Sequence, residues 1–238
     1  MQTGFDPTPP AGMTQMAEPS RRSAVVTAVL AVLALWPFPA MAAPGVASTQ
    51  YADMPAGAYG SDPAHTSVIV RVIHMGFSSY TLRFDKVAAQ YRFDPHAPET
   101  AQVSADIDPA SIDTGSKSFN AELAGKDWLD AADFPSIAFT STRIDTGDGV
   151  HGSVEGNLTL HGVTRPVTLA VTFNGVGGDL IPLVTRAGFS ATATVKRSDF
   201  GVSRFEGLVG DDVQVTIQAE FTRKLFSRGP EPTPAAGR

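Results

Sequence analysis

From Ser67 to Phe221 apolar and polar residues alternate with period two in segment after segment, the rhythm of half-buried β-strands. Val68, Val70, Val72 and His74 share one parity, and Ser67, Ile69, Arg71 and Ile73 take the other. Tyr80, Leu82 and Phe84 continue against Thr81 and Arg83. Past Asp85-Lys86 the parity flips, so that Val87, Ala89, Tyr91 and Phe93 become the apolar set. A β-bulge in a long strand produces such a slip. Val103, Ala105 and Ile107 follow, then Ile137 and Phe139, then Val154, Leu158 and Leu160. Val167, Leu169, Val171 and Phe173 lead to Asn174-Gly175, a pair that predicts a hairpin turn. Phe189, Ala191, Ala193 and Val195, and lastly Val213, Val215, Ile217, Ala219 and Phe221, complete the series.

These segments predict an all-β domain of eight antiparallel strands, each with one apolar and one mostly polar face. Long strands with one-sided burial and no repeated helices close into a barrel or stack as a sandwich. An eight-stranded barrel either fills with its own side chains or holds one small ligand. Ala89, Ala105, Gly156, Ala191 and Ala193 on the inner parity favour leftover space. One stretch breaks the alternation: Ser116 to Ser136, whose Ala, Leu and Glu content predicts a short helix near Ser118 to Ala124, ending at Gly125. Trp128 and Leu129 follow and could cap a barrel mouth, and Pro135 releases the chain into the strand at Ile137.

The flanks read differently. Arg21-Arg22 precede the apolar run from Ala24 to Trp36, which as a helix reaches only about 20 Å, short of a bilayer core of roughly 30 Å. Pro37 and Pro39 follow, then Ala40-Met41-Ala42, an A-x-A cleavage pattern. Positive flank, short apolar core and small-residue site predict a secretory signal over residues 1–42, cleaved after Ala42, and no membrane span once it is removed. Arg21-Arg22 after Ser20 hints at the twin-arginine route. Residues 43–55 read as a linker, 56–224 as the domain and 225–238, with GPEPTPAAG, as a disordered tail.

Charge and motifs exclude several functions. A net charge of −6 argues against a nucleic-acid partner, which needs surplus Lys and Arg. With no cysteine, disulfides, thiolate metal sites and a Cys nucleophile are all ruled out. Asp199-Phe200-Gly201 spells a kinase-like triplet without the loops that would give it meaning, and no nucleophile elbow or phosphate-binding glycine loop occurs. None of His65, His74, His96, His151 and His161 has a partner at metal-binding spacing, so neither a metal nor a cofactor is expected. His74, on the inner parity, reads either as a satisfied histidine near a barrel end or as a polar contact for a ligand headgroup. Arg197 and Asp199 follow a strand directly; they read either as a structural ion pair or turn, or as an anion contact at the mouth.

Several blocks, taken in order, resemble the YceI-like family. AHTSVIVRVIHMG (Ala64 to Gly76) is similar to its opening strand, with Thr66 where relatives carry Ser. SADIDPASIDTGS (Ser104 to Ser116) and AELAGKDWLDAADFPSIAF (Ala121 to Phe139) match its S-I-D-T-G run and helical insert. GNLTLHGVTRPV (Gly156 to Val167) carries the most specific pattern, G-x-L-T-x-x-G-V-T; KRSDFG (Lys196 to Gly201) and VGDDVQVTIQAEF (Val209 to Phe221) follow. The resemblance implies a lipocalin-like barrel whose apolar tunnel holds a polyisoprenoid chain, in an exported protein of the bacterial envelope without catalytic activity. The insert departs from the family's R-D-x-H-L: Phe119, Asn120, Glu122 and Leu123 stand there, and no headgroup contact transfers to them.

The expectation is therefore a periplasmic carrier or reservoir for a polyprenyl or quinone-type lipid. Its chain would touch Val70, Val72, Phe84, Phe139, Leu158, Phe189, Ala191, Ala193 and Val215, with His74 and Arg197 as polar candidates. An enzyme acting on such a lipid is the alternative. It would need an activated nucleophile or a paired acid and base that the sequence does not offer. An envelope stress protein that retains lipid incidentally is a third reading, and a homodimer stays open.

Overall fold

A computed structural model describes residues 45–181 and 183–223. The expected signal and tail, and residues 43, 44 and 224, lie outside the described residues. In chain order the strands are β1 (Gly45–Ser48), β2 (Gly57–His74), β3 (Ser78–Phe84), β4 (Val87–Phe93), β5 (Gln102–Ile107) and β6 (Ile112–Asp113). Helix α1 (Lys117–Ala124) intervenes before β7 (Ile137–Asp145), β8 (His151–Leu160), β9 (Val163–Gly178), β10 (Thr185–Lys196) and β11 (Val209–Arg223). All named pairings are antiparallel, and β11 returns to pair with β2 from Val209↔His74 to Arg223↔Tyr59, which closes the sheet.

The barrel has eight strands because β3 and β4 lie end to end along β2. Val68 faces Phe84 in β3, and Gly60 faces Gln90 in β4. The Asp85-Lys86 slip is thus a break within one long barrel strand, and the parity flip keeps apolar side chains inward on both sides of it. On the far flank β5 and β6 line up in the same way, joined by a single 3-10 turn at Pro109–Ser111.

Three features differ from the sequence expectation. Residues 43–55 were expected to be a linker, yet β1 pairs with β9, and Tyr51 and Met54 are buried in the core. No periodicity announces this, because β1 has only four residues and its neighbours are single anchors. Asn174-Gly175 does not turn the chain. Gly188 faces Gly175 and Phe189 faces Phe173, leaving Asn174 as the extra residue of a bulge while β9 runs on to Gly178. Gly175 has φ +141°, and Val46 of β1 packs where a β-carbon would stand. β2 also begins earlier than the alternation suggests, since the segment Asp62 to His65 bulges out of register between Ser61 and Thr66.

Two apolar clusters organise the interior. The β2–β3 turn and α1 stand at one end of the barrel, its upper end. There Leu123 of α1 packs with Val68, Phe84, Ile112 and Ile137, and Phe119, Trp128 and Leu129 lie against them. At the lower end the rings of Tyr51, Tyr59, Tyr91, Phe93, Phe173 and Phe221 pack into a plug, with Met54 buried among them. Burying one such side chain is worth about 1.5–3 kcal/mol, so the plug is a major source of stability at that end. At the upper end His161 and Gly162 join β8 to β9 with φ of +51° and +74°, the positive pair a type I′ turn needs. A β-carbon on Gly162 would collide with the Phe134 ring, which explains the glycine in the G-x-L-T-x-x-G-V-T block.

Candidate functional site

Between the two clusters lies a cavity of about 570 Å³ running along the barrel. Its walls come from the inner parity of every long strand. Val70 and Val72 of β2, Phe84 of β3, Phe139 of β7, Leu158 of β8, Phe189, Ala191 and Ala193 of β10 and Val215 of β11 all line it. Register explains why they meet: Ala193 faces Val215, which faces Val70, which faces Leu82. A single apolar ring crosses four adjacent strands. Of the small inner residues, Ala89, Ala105, Ala191 and Ala193 line the cavity, whereas Gly156 makes room for the Phe139 ring.

The polar candidates separate. His74 lines the cavity at the upper rim, where it is exposed. Arg197 is only 6% exposed, and Asp199 is not its partner. Its Nε donates to the Gly210 carbonyl at 2.9 Å, its Nη1 to those of Val202 and Arg204 at 2.7 and 2.9 Å, and its Nη2 to that of Val209 at 2.9 Å. Four of the five N–H groups of the guanidinium are therefore spent on backbone, and the residue clamps the chain from Val202 to Gly210. Of the readings the sequence left open, the structural one takes the form of a turn and this backbone clamp, not of an ion pair with Asp199. Arg197 still contributes to the cavity wall. The Asp-Phe-Gly triplet belongs to the same turn: Phe200 is buried, and Gly201, at φ +76°, caps the short 3-10 helix from Arg197 to Phe200.

Tyrosines are the polar feature that the sequence reading passed over. Tyr51, Tyr80 and Tyr91 line the cavity, and the Tyr51 and Tyr91 hydroxyls are hydrogen-bonded to each other at its lower end. Burial pushes both phenols above their ordinary range, and pushes neighbouring Tyr59 to about 12. They remain neutral hydrogen-bonding groups at physiological pH. The inner parity does mark Tyr91, but nothing in the alternation marks Tyr51. Two further buried polar atoms, Thr66 Oγ1 and Trp128 Nε1, have no hydrogen-bond partner among the described residues, and both residues line the cavity.

The insert positions that depart from the family pattern serve the local fold. Asn120 Oδ1 accepts from the Thr114 amide at 2.8 Å, and its Nδ2 donates to Asp113 at 3.0 Å, tying α1 to β6. Among the described residues no three His, Asp or Glu side chains converge as a metal site would require. His74 and Asp145 both border the cavity, but at opposite ends, so they cannot serve as an acid–base pair. Among the described residues no helix is long and apolar enough to cross a membrane.

Residues 59–221 match the family model of the YceI-like domain. A UPF0312 protein of Pseudomonas savastanoi pv. phaseolicola is 32% identical over 160 residues, covering 67% of this chain and 82% of that protein. Another from Pseudomonas fluorescens is 35% identical over 161 residues, 66% of this chain and 81% of its own. Among solved structures, BcnA of Burkholderia cenocepacia superposes with a TM-score of 0.61 at 31% identity, over 67% of this chain and 98% of that one. A polyisoprenoid binding domain from Saccharophagus degradans shares the fold at a TM-score of 0.50 and 17% identity, over 71% of this chain and all of that one.

Proposed function

Because this chain belongs to the YceI-like family, we propose that its barrel binds a polyprenyl or isoprenoid-quinone lipid and serves as a carrier or reservoir for it in the periplasm. The observation that carries this reading is the cavity of about 570 Å³, walled by apolar side chains from every long strand. Burying a hydrocarbon chain there gains roughly 25 cal/mol per Å² removed from water. The shared fold with a polyisoprenoid binding domain supports the same ligand class. In this reading the chain is exported by the signal over residues 1–42, and mass analysis of the processed protein finds Ala43 first.

Filling the tunnel tests the binding. Ala191→Phe and Ala193→Phe place rings in the cavity at a folding cost of about 1–3 kcal/mol from overpacking. Lipids are extracted from wild type and both variants and measured by mass spectrometry, with circular dichroism to check each fold. The expected result is folded variants stripped of most of the prenyl lipid that wild type carries. Folded variants with the full wild-type complement would place the ligand elsewhere, and a wild type that never yields lipid from native membranes would sink the carrier.

A further inference from the structure

The two ends of the barrel expose apolar side chains in different settings. At the lower end Leu180, Ile181 and Leu183 stand out on the β9–β10 loop, but none of them lines the cavity. At the upper end Ile73, Met75, Phe77, Phe205 and Leu208 are exposed, Phe77 at 85%. These five form one collar. The Met75 amide donates to the Leu208 carbonyl at 2.7 Å, tying the β2–β3 turn to the segment before β11. His74 and Val209, facing each other across β2 and β11, line both the collar's base and the cavity. The Phe205 ring lies 6.0 Å from that of Trp128, itself part of the cavity wall. Apolar side chains therefore lead from the tunnel wall to the outside at this end, whereas the exposed apolar side chains of the lower loop do not border the cavity.

The geometry points to the collar as the face by which the barrel sits on a lipid bilayer, so that a prenyl chain moves between bilayer and tunnel without crossing water. This rests on the lipid-binding reading above. A contiguous exposed apolar patch ordinarily marks a partner. The partner here must also be the place where a prenyl chain waits, because the patch continues into the tunnel that would receive it. The charged side chains within the collar segment are Arg204 and Glu206, both exposed, so the collar offers no net positive charge for anionic headgroups. Arg204 is paired with Asp127 at 3.2 Å, and its guanidinium lies 4.7 Å above the Phe205 ring, the arrangement of a side chain that covers apolar surface while its charge stays near water. With a net charge of −6 the chain has no cationic surplus for anionic headgroups, so neutral phosphatidylcholine suffices and salt matters little.

The test compares the two ends in the exported, processed protein. Met75→Asn with Phe77→Ser strips the collar; Asn suits Met75 because the backbone there has φ +52°. Leu180→Ser with Leu183→Asn strips the lower loop as a control. Each form is sedimented with phosphatidylcholine vesicles carrying ubiquinone-10, in low and high salt, and its uptake of ubiquinone from vesicles is timed. Uptake from ubiquinone dispersed in detergent is measured alongside. The collar variant should lose vesicle binding and vesicle uptake by tenfold or more while loading normally from detergent, and the lower-loop variant should match wild type. Equal vesicle uptake by the collar variant, or equal loss in the lower-loop variant, would overturn the proposal. So would a wild type that ignores vesicles and instead forms a dimer broken by the collar changes. If wild type took no ubiquinone from detergent, the lipid-binding reading would fail, while vesicle sedimentation would still report on the collar.

Discussion

Arg197 shows how a single charged residue can be visible in the sequence while its role is not. As a buried cation it is held by four carbonyls, from Val202, Arg204, Val209 and Gly210, and none of these partners leaves a mark in the sequence. Arg197→Met would strand all four acceptors and cost about 3 kcal/mol or more in chemical denaturation. Arg197→Lys should recover little, because one ammonium cannot span the fork. Arg186 is the opposite case, a cation among carboxylates. It donates to Asp62 at 2.7 Å, to Glu220 at 2.8 Å and to Asp179 at 2.5 Å, and so pins the Asp62 to His65 bulge to β10 and β11. This guanidinium, with a smaller contribution from His65, holds the Asp62 carboxyl down at about 2. A carboxyl lowered on folding stabilises the fold above its unfolded value near 4, and that stability fades as pH falls toward 2. Arg186→Met should therefore lower the melting temperature by a few degrees at pH 7, with a gap that narrows between pH 4 and 2. A gap that stayed constant with pH would mean that Arg186 acts by packing alone.

At the scale of elements, the alternation made the barrel strands legible because one face of each must be apolar, and period two fixes which. Val215 and Leu169 face the cavity, while Gln214 and Thr168 point to solvent. Val215→Asp or Leu169→Asp should cost about 3 kcal/mol or more by placing an unpaired charge against apolar walls; Gln214→Asp and Thr168→Asp should cost well under 1. Thermal melts that ranked the pairs the other way would reverse the inward assignment. What stayed illegible were the irregularities. Asn174-Gly175 has the composition of a turn, and only the presence of β1 beside it makes it a bulge. The bulge at Asp62 to His65 depends on Arg186, more than a hundred residues away in sequence. Tyr51 gains its place in the plug from Phe93 and Phe173, with ring centroids 4.6 and 5.6 Å away. Contacts of that range leave no local pattern.

At the scale of the whole molecule the cavity exists because the eight strands close and five of the residues lining it are alanines, so the ring cannot fill itself. The eleven residues named from the sequence all fall on its wall, since parity decides inward from outward before any contact is known. Its depth was not readable, because the floor is built by rings from β1's neighbourhood, β4, β9 and β11 together. That floor sets a limit that chain length can measure. Each methylene buried contributes about 0.8 kcal/mol, so affinity for a ladder of prenyl alcohols should rise with each isoprene unit until the chain meets Tyr91. Further units would remain in water and add nothing. Ala89 lies two residues from Tyr91 on the same inner face of β4, so Ala89→Phe should raise the floor. Titration of the ladder should then show a plateau at a shorter chain than in wild type, with short members bound as before. Coincident curves would mean that the chain stops in the upper half of the barrel and never reaches the plug.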